Sequence, residues 1–297
     1  MNKLDKIIKI SKKLIDLPYN SFNLDNYKEI LFKNFEDIHF KDTKQNLPIK
    51  LMSGGHKNSG EIEENYNITN KKNIYIIGKG ILFDSGGLNL KPKMEGMHGD
   101  KAGMIIAIAV ANYCKNNVVA FCPVTTNFIH NSQIIPGDII KIGNKKVLIN
   151  NTDAEGRLIL AEAISTLNVS KNDIIITVAT LTGAVGYSID TKATGVLTPN
   201  NKLAQLFFDA SKEVKEYVWR LPLFDYMQDF YKKQLIKNAE DKIRAGTSEG
   251  AMFIKQFIKY PENWIHLDIA YSAFDNKTKK ANGVPIKSLI NFVEKLK

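Results

Sequence analysis

The chain has 297 residues, 44% hydrophobic and 24% charged, which is enough to bury one large core or two modest ones and excludes a disordered tail or a small stapled domain. Lys and Arg total 41 against 31 Asp and Glu, a net charge of +10, yet the arginines are only Arg157, Arg220 and Arg244, and the lysines are scattered along the whole length. That distribution argues against a nucleic-acid groove, where forked arginines are favoured; a general bias towards Lys, Asn and Ile accounts for it.

The first element is LDKIIKISKKLIDL, whose apolar positions Leu4, Ile7, Ile8, Leu14 and Ile15 predict a helix packed on a core. Asp5 and Asp16 interrupt it and no small-residue cleavage site follows, so it does not read as a secretory signal, and a cytoplasmic location is expected. A polar stretch at 46–72, containing SGGHKNSGEIEE, divides a short helical lead-in and linker (1–72), packed on the main domain, from a domain at 73–297. That domain opens with a strand at 73–78 and continues with a helix at 103–114, a strand at 118–124, a helix at 155–167 and a strand at 173–180. Further helices are predicted at 202–216, 224–235, 249–259 and 285–297, with a strand at 264–270. Unbroken β-branched runs alternating with helices predict an α/β three-layer fold with a mostly parallel central sheet flanked by helices. The longest apolar run, 104–110 with its flanks, falls far short of the ~20 residues that cross a bilayer. Cys114 and Cys122 lack the C-x-x-C spacing of a metal knuckle or redox pair and read as buried thiols in a reducing compartment.

In such a sheet the loops leaving the carboxyl ends of the strands build the site. The first strand runs into GKGILFDSGG, where glycines at 78, 80, 86 and 87 let the backbone bend and bring Lys79 and Asp84 to one point. No G-x-x-x-x-G-K-[ST] is present, so the phosphate-cradling P-loop template fails. In NTDAEGRL, Asp153 and Glu155 stand two apart, so an extended backbone directs both carboxylates the same way. Taken alone, that octamer reads more simply as helix capping by Thr152 or Asp153, with Glu155 in the first turn. The wider inventory shifts the balance: Asp84, Asp100, Asp153 and Glu155 all fall in predicted loops beside apolar elements. Four carboxylates in one crevice repel one another unless cations neutralise them, and two divalent ions would do so.

The strings GKGILFDSGGLNLKP, MEGMHGDKAG, NTDAEGRL and TLTGA, in this order, closely resemble the leucyl aminopeptidase family, the dinuclear M17-type exopeptidases. Similarity continues through WRLPL, RAGTSEGA, WIHLDIA and GVPIKSLINFVEKL, and so covers roughly Ser11 to the end. The resemblance implies two divalent ions, Mn²⁺ or Zn²⁺, with Asp84 and Glu155 bridging both, Asp153 completing the first ligand set, and Lys79 and Asp100 the second. A ligating Lys79 must be neutral, which needs a strong local positive field. By the same resemblance Lys91 is the protonated lysine aimed at the scissile carbonyl oxygen, and Arg157 holds a bicarbonate that serves as general base. Met97 and the stretch from Thr180 through Leu181, Thr182 and Gly183 would line the pocket for the first side chain. The implied activity is hydrolysis of the N-terminal bond of peptides with a free amino terminus, by a homo-oligomer, a hexamer in the family, with neither membrane nor nucleic acid as partner. His98, His266, Asp268 and Ser85 are set aside: the family's site holds no histidine, and Ser85 lacks a G-x-S-x-G setting.

Three departures stand out. The usual member is longer, with an N-terminal α/β domain where this chain has a short lead-in. Lys101 follows Asp100 where methionine is more usual, which predicts an extra positive charge beside the second metal and weaker occupancy there. The segment 139–150 is shorter than usual, which would trim a loop at the crevice rim. Two other readings stay open: a non-catalytic scaffold or nucleic-acid-associated protein that keeps the fold, and a dinuclear phosphoesterase, which leaves Lys79 without a task.

Overall fold

The computed structural model describes residues 1–42, 48–54, 56–66, 72–131 and 133–297. Its strands are β1 (Ile38–Asp42), β2 (Gly60–Tyr66), β3 (Ile74–Gly78), β4 (Gly80–Asp84), β5 (Val118–Asn127), β6 (Ile139–Ile142), β7 (Lys145–Leu148), β8 (Ile174–Ala179), β9 (Thr194–Leu197), β10 (Val218–Arg220), β11 (Leu235–Lys237) and β12 (Trp264–Asp268). The main sheet runs β1-β2-β5-β3-β8-β12-β9-β10, with β4 also paired to β5. Its centre is parallel, β5 to β3 to β8 to β12, and antiparallel pairs lie towards both edges, at β1–β2, β2–β5 and β12–β9. The α/β fold with a mostly parallel sheet flanked by helices is the one the alternating pattern predicts.

Burial explains the parallel centre. Every residue of β3, β5, β8 and β12 is buried, as strands covered on both faces must be. The helix Ala102–Cys114 is buried over nearly its whole circumference, because the sheet lies on one side while the helices Lys3–Asp16 and Ile286–Leu296 share its core cluster on the other. Its first turn lies directly on the strands: a Cβ on Gly78 would stand 2.3 Å from the Gly103 carbonyl oxygen, and one on Gly103 2.3 Å from that of Val178. Only two bare backbones approach this closely, and the contact delivers the turn before the helix to the carboxyl ends of β3 and β8.

Three differences from the sequence reading follow from pairing. The stretch before residue 72 supplies β1 and β2, and β2 runs antiparallel to β5 from Gly60–Val124 to Tyr66–Val118, so it extends the main sheet. Parts of the polar stretch 46–72 lie outside the described residues. The helix expected at 224–235 is instead a short helix Asp225–Gln228, a 3₁₀ turn Asp229–Tyr231 and strand β11, which leaves the helical path to pair with β7 in a second sheet, β11-β7-β6. The string GILFD, read as a loop, is β4, aligned parallel to β5. No described helix is long and apolar enough to cross a membrane, and Cys114 and Cys122 are both buried.

Candidate metal centre

A cavity of about 210 Å³ opens at the carboxyl ends of the parallel strands, and its wall includes Lys79, Asp84, Lys91, Met97, Asp100, Asp153, Glu155, Thr180, Leu181, Thr182 and Gly183. The topology explains the convergence. Lys79 directly follows β3, Asp84 ends β4 and Thr180 directly follows β8, so parallel strands place all three at one crevice. Asp100 comes from the 3₁₀ turn Met97–Lys101, which the Gly78–Gly103 contact presses towards the same place. Glu155 is the first residue of the helix Glu155–Thr166, and the residue before it, Ala154, makes no side-chain cap. The capping alternative for Thr152 and Asp153 is thereby overturned: the Thr152 hydroxyl donates to the Gly86 carbonyl at 2.7 Å, and Asp153 pairs with Lys91.

Lys91 reaches the site through a tight turn. Gly86 and Gly87 take φ of +87° and +61°, and a Cβ on Gly86 would stand 2.4 Å from the Asn89 carbonyl oxygen, so glycine is required there. The turn closes with the Lys91 N–H donating to the Ser85 carbonyl at 2.9 Å. The Lys91 ammonium then sits between Asp153 and Asp84, 2.8 Å from Asp84 Oδ2. Lys79 Nζ lies 2.7 Å from Asp100 Oδ2 and 2.8 Å from Glu155 Oε1, and donates to the Thr180 carbonyl at 2.9 Å. The Thr180 hydroxyl donates to Asp100 Oδ1 at 2.6 Å.

Asp84, Asp100 and Glu155 are buried, and each offers a carboxylate oxygen such that the three lie within 4.8 Å of one another. Burial, together with the neighbouring carboxylates, raises the Asp100 carboxyl to about 8 and raises that of Glu155, and burial raises Asp153. For Lys79 burial works against the charge, but Asp100, Glu155 and Asp84 outweigh it and hold the amine above its ordinary value; Lys91 is raised likewise against its own burial by Asp84 and Glu155. The two ammonium groups thus stand where positive charge is needed. Among the described residues Glu155 Oε2 is buried with no hydrogen-bond partner, an uncompensated acceptor of the kind that a cation satisfies. An oxygen-rich donor set with one amine and no histidine or thiolate suits hard to borderline divalent ions, so the residues fit the implied metals.

Arg157 is buried and is not part of the cavity wall. Its Nη1 donates to Glu249 Oε2 at 2.5 Å and to the Asn238 carbonyl at 2.8 Å, while Glu249 Oε1 accepts from the Tyr231 hydroxyl at 3.0 Å and the Glu240 N–H at 3.1 Å. Burial disfavours the guanidinium charge, and Glu249 more than restores it. The Lys101 ammonium turns off the cavity wall: it donates to the carbonyls of Leu17 at 2.9 Å and His98 at 2.6 Å and lies 5.2 Å from the Phe22 ring centroid, so it ties the N-terminal segment down, while burial lowers its pKa to about 7 against the pull of Asp16 and Asp100. Segment 139–150 contains the β6–β7 hairpin and is likewise off the cavity wall.

Some neighbours of the site were missed or set aside in the sequence. Asn127 Nδ2 donates to Asp84 Oδ1 at 2.8 Å and to the Thr152 carbonyl at 3.1 Å, joining the two acidic loops; its one sequence signal is its place at the end of an apolar strand. Asp268, set aside as structural, accepts from the Leu181 N–H at 3.2 Å and the Thr182 hydroxyl at 2.7 Å, and so shapes the loop after β8. His266 Nδ1 meets the Thr177 hydroxyl at 2.9 Å deep in the sheet.

Residues 19–290 match the cytosol aminopeptidase family, catalytic domain. A probable cytosol aminopeptidase of Chlorobaculum tepidum is 37% identical over 75% of this chain and 47% of its own length. The human cytosol aminopeptidase is 31% identical over 96% of this chain and 60% of its own. The chain thus spans about half to three-fifths of these relatives. The bottromycin maturation enzyme BotP, solved in complex with Mn, superposes with a TM-score of 0.87 at 23% identity, covering 99% of this chain and 70% of that one, a likeness of fold. The chain belongs to the cytosol aminopeptidase family, and the matched residues are that family's catalytic domain.

Proposed function

We propose that this protein is a metallo-aminopeptidase that releases N-terminal residues, with a leucine-like preference, from peptides with a free amino terminus. One observation carries the reading: three buried carboxylates within 4.8 Å of one another, with Lys79 among them and one Glu155 oxygen left without a partner. Asp84 and Glu155 would be shared by two divalent ions, Mn²⁺ or Zn²⁺, with Asp153 on one and Lys79 and Asp100 on the other. Bound there, such ions supply Lewis-acid polarisation of the substrate carbonyl and a water acidified towards hydroxide.

The chain's own groups do the rest. Lys91, aimed by Asp84 and Asp153, presents N–H donors to an oxygen that becomes negative as the carbonyl is attacked, and a donor fixed before reaction costs no reorganisation. To serve as a ligand Lys79 would release its proton to solvent, which the positive charge of bound ions would favour. Thr180 fixes Asp100, and Asp268 accepts from the Leu181 and Thr182 N–H groups, beside which the substrate would lie. The acidic wall favours a substrate that ends in a free amine over a blocked one. A bicarbonate on Arg157 would share the guanidinium with Glu249, which already occupies Nη1. Family membership also supports a homo-oligomer, a hexamer, which light scattering reads directly.

The test is release of leucine from an unblocked leucyl peptide with Mn²⁺ or Zn²⁺ added. Turnover should vanish with chelator and fall at least about a hundredfold in Asp153→Ala, while Glu155→Gln should lower the metal bound per chain. Turnover of a phosphate ester without any of a leucyl amide would overturn the proposal in favour of a phosphoesterase; no turnover at all by metal-loaded protein would favour a scaffold.

A further inference from the structure

The cavity has two unlike halves. One is the charged wall; the other, made by Met97, Leu181, Ala270, Tyr271 and Phe274, carries no charge. A substrate whose reacting groups lie on the charged wall has only the second half for its first side chain. Tyr271 and Phe274 stand in the turn that follows β12, and each ring rests on bare backbone. A Cβ on Gly186 would come 2.7 Å from Tyr271 Cε2, and one on Gly99 2.7 Å from Phe274 Cε1. Each ring is therefore backed by main chain, which does not yield as a side chain would. The Tyr271 hydroxyl reaches towards Gly183, where its oxygen lies 3.8 Å from the position a Cβ would take. Across that gap the phenol and the loop after β8 bound the apolar half, and the whole cavity, charged half included, is only about 210 Å³.

We infer that Tyr271 determines substrate specificity: its ring closes the apolar half, so the site accepts compact aliphatic first side chains and rejects the large aromatic ones. This rests on the aminopeptidase reading above.

The experiment compares kcat/KM for leucyl, alanyl and tryptophyl amides in the metal-loaded protein and in three variants, with calorimetric binding of free L-leucine and L-tryptophan as a readout independent of turnover. Tyr271→Ala should raise the tryptophyl-to-leucyl ratio at least about tenfold, the scale on which an apolar pocket discriminates, and should let L-tryptophan bind. Tyr271→Phe, which keeps the ring, should leave the ratio within about twofold. Gly183→Ala works in the opposite direction. Gly183 has φ −64° and ψ −20°, which alanine adopts freely, and among the described residues outside its own chain neighbours the Tyr271 hydroxyl, at 3.8 Å, is what the new methyl meets, so the variant should fold and narrow the gap, moving preference from leucyl towards alanyl by about tenfold. If Tyr271→Ala fails to fold, Gly183→Ala decides. Leucyl turnover with unchanged ratios and binding in the folded variants overturns this inference alone; a wild-type protein inert to every amide overturns the aminopeptidase reading and this inference with it.

Discussion

Exchange of Glu249 for glutamine keeps its shape and removes the charge that faces Arg157. In the native protein the two oxygens serve different donors: Oε2 takes Arg157 Nη1 at 2.5 Å, and Oε1 takes the Tyr231 hydroxyl at 3.0 Å and the Glu240 N–H at 3.1 Å. Glutamine has one oxygen for both tasks. If it faces Arg157, its NH₂ meets the Glu240 N–H; if it faces Glu240, its NH₂ meets the guanidinium. Either orientation creates a donor–donor contact beside a buried charge. Breaking a buried pair from one side costs about 3–5 kcal/mol, and the lower end applies because the Asn238 carbonyl still accepts from Nη1 at 2.8 Å. We expect Glu249→Gln to lose about 3 kcal/mol in urea unfolding with an unchanged m value. Arg157→Met removes the stranded charge, so the double variant should recover at least about 1 kcal/mol relative to the sum of the singles. A loss below about 1 kcal/mol, or additivity within about 0.5 kcal/mol, would refute the argument that Glu249 compensates Arg157.

Three further outcomes are expected. Burial pushes the Glu61 carboxyl up to about 7 from its ordinary 4.5, so between those values the folded state holds a proton that the unfolded chain has released. The stability contributed by this group is full below pH 4.5 and is lost as pH rises through 7. Glu61→Gln should therefore match the wild type near pH 4 and exceed it by about 3 kcal/mol near pH 8, read from paired urea titrations; equal stability at both pH values would exclude it. In Gly156→Ala the new methyl would meet Lys79 Cε at 2.7 Å and Nζ at 2.9 Å, so the lysine must shift away from Asp100 and Glu155. The helix tolerates alanine, so the fold should survive with a lowered melting temperature from the loosened buried ion pairs, while leucyl-amide turnover falls about a hundredfold; unimpaired turnover would show that the position of Lys79 does not matter. Lys101→Met should leave metal stoichiometry and affinity unaltered but cost about 1–2 kcal/mol, because the Leu17 and His98 carbonyls lose their donor; weakened metal binding in calorimetry would contradict this.

The strands at the parallel centre are legible because burial on both faces demands an uninterrupted apolar string, as in IYIIG and IIITVA. Strands β1 and β2 are not, because IHFKD and GEIEENY mix charge with single apolar residues, and what makes them strands is the partner strand β5. Within the cavity, Lys79, Asp84, Asp153 and Glu155 could be read from glycines and local spacing, since the turns that gather them are encoded beside them. Asn127, Glu249 and Tyr271 could not. Asn127 acts on a carboxylate 43 residues away and Glu249 on a guanidinium 92 residues away, and Tyr271 acquires its place only when a helix glycine 85 positions earlier in the chain lies beneath its ring.

Lys101 shows how adjacency in sequence can mislead. Its neighbour Asp100 is a member of the acidic cluster, and placing a positive charge beside it invites the conclusion that the charge reaches the cluster. The two residues end a 3₁₀ turn, in which three residues complete a revolution, so successive side chains diverge by about 120°. One direction leads Asp100 to Lys79 and Thr180; the other leads Lys101 beneath the first helix, to the carbonyls of Leu17 and His98. A lysine at this position therefore supplies a hydrogen-bonded anchor beneath the N-terminal segment. Its main consequence falls on how firmly that segment is held to the domain; towards the cavity it acts only through its charge on Asp100, which burial weakens by lowering the ammonium's pKa to about 7.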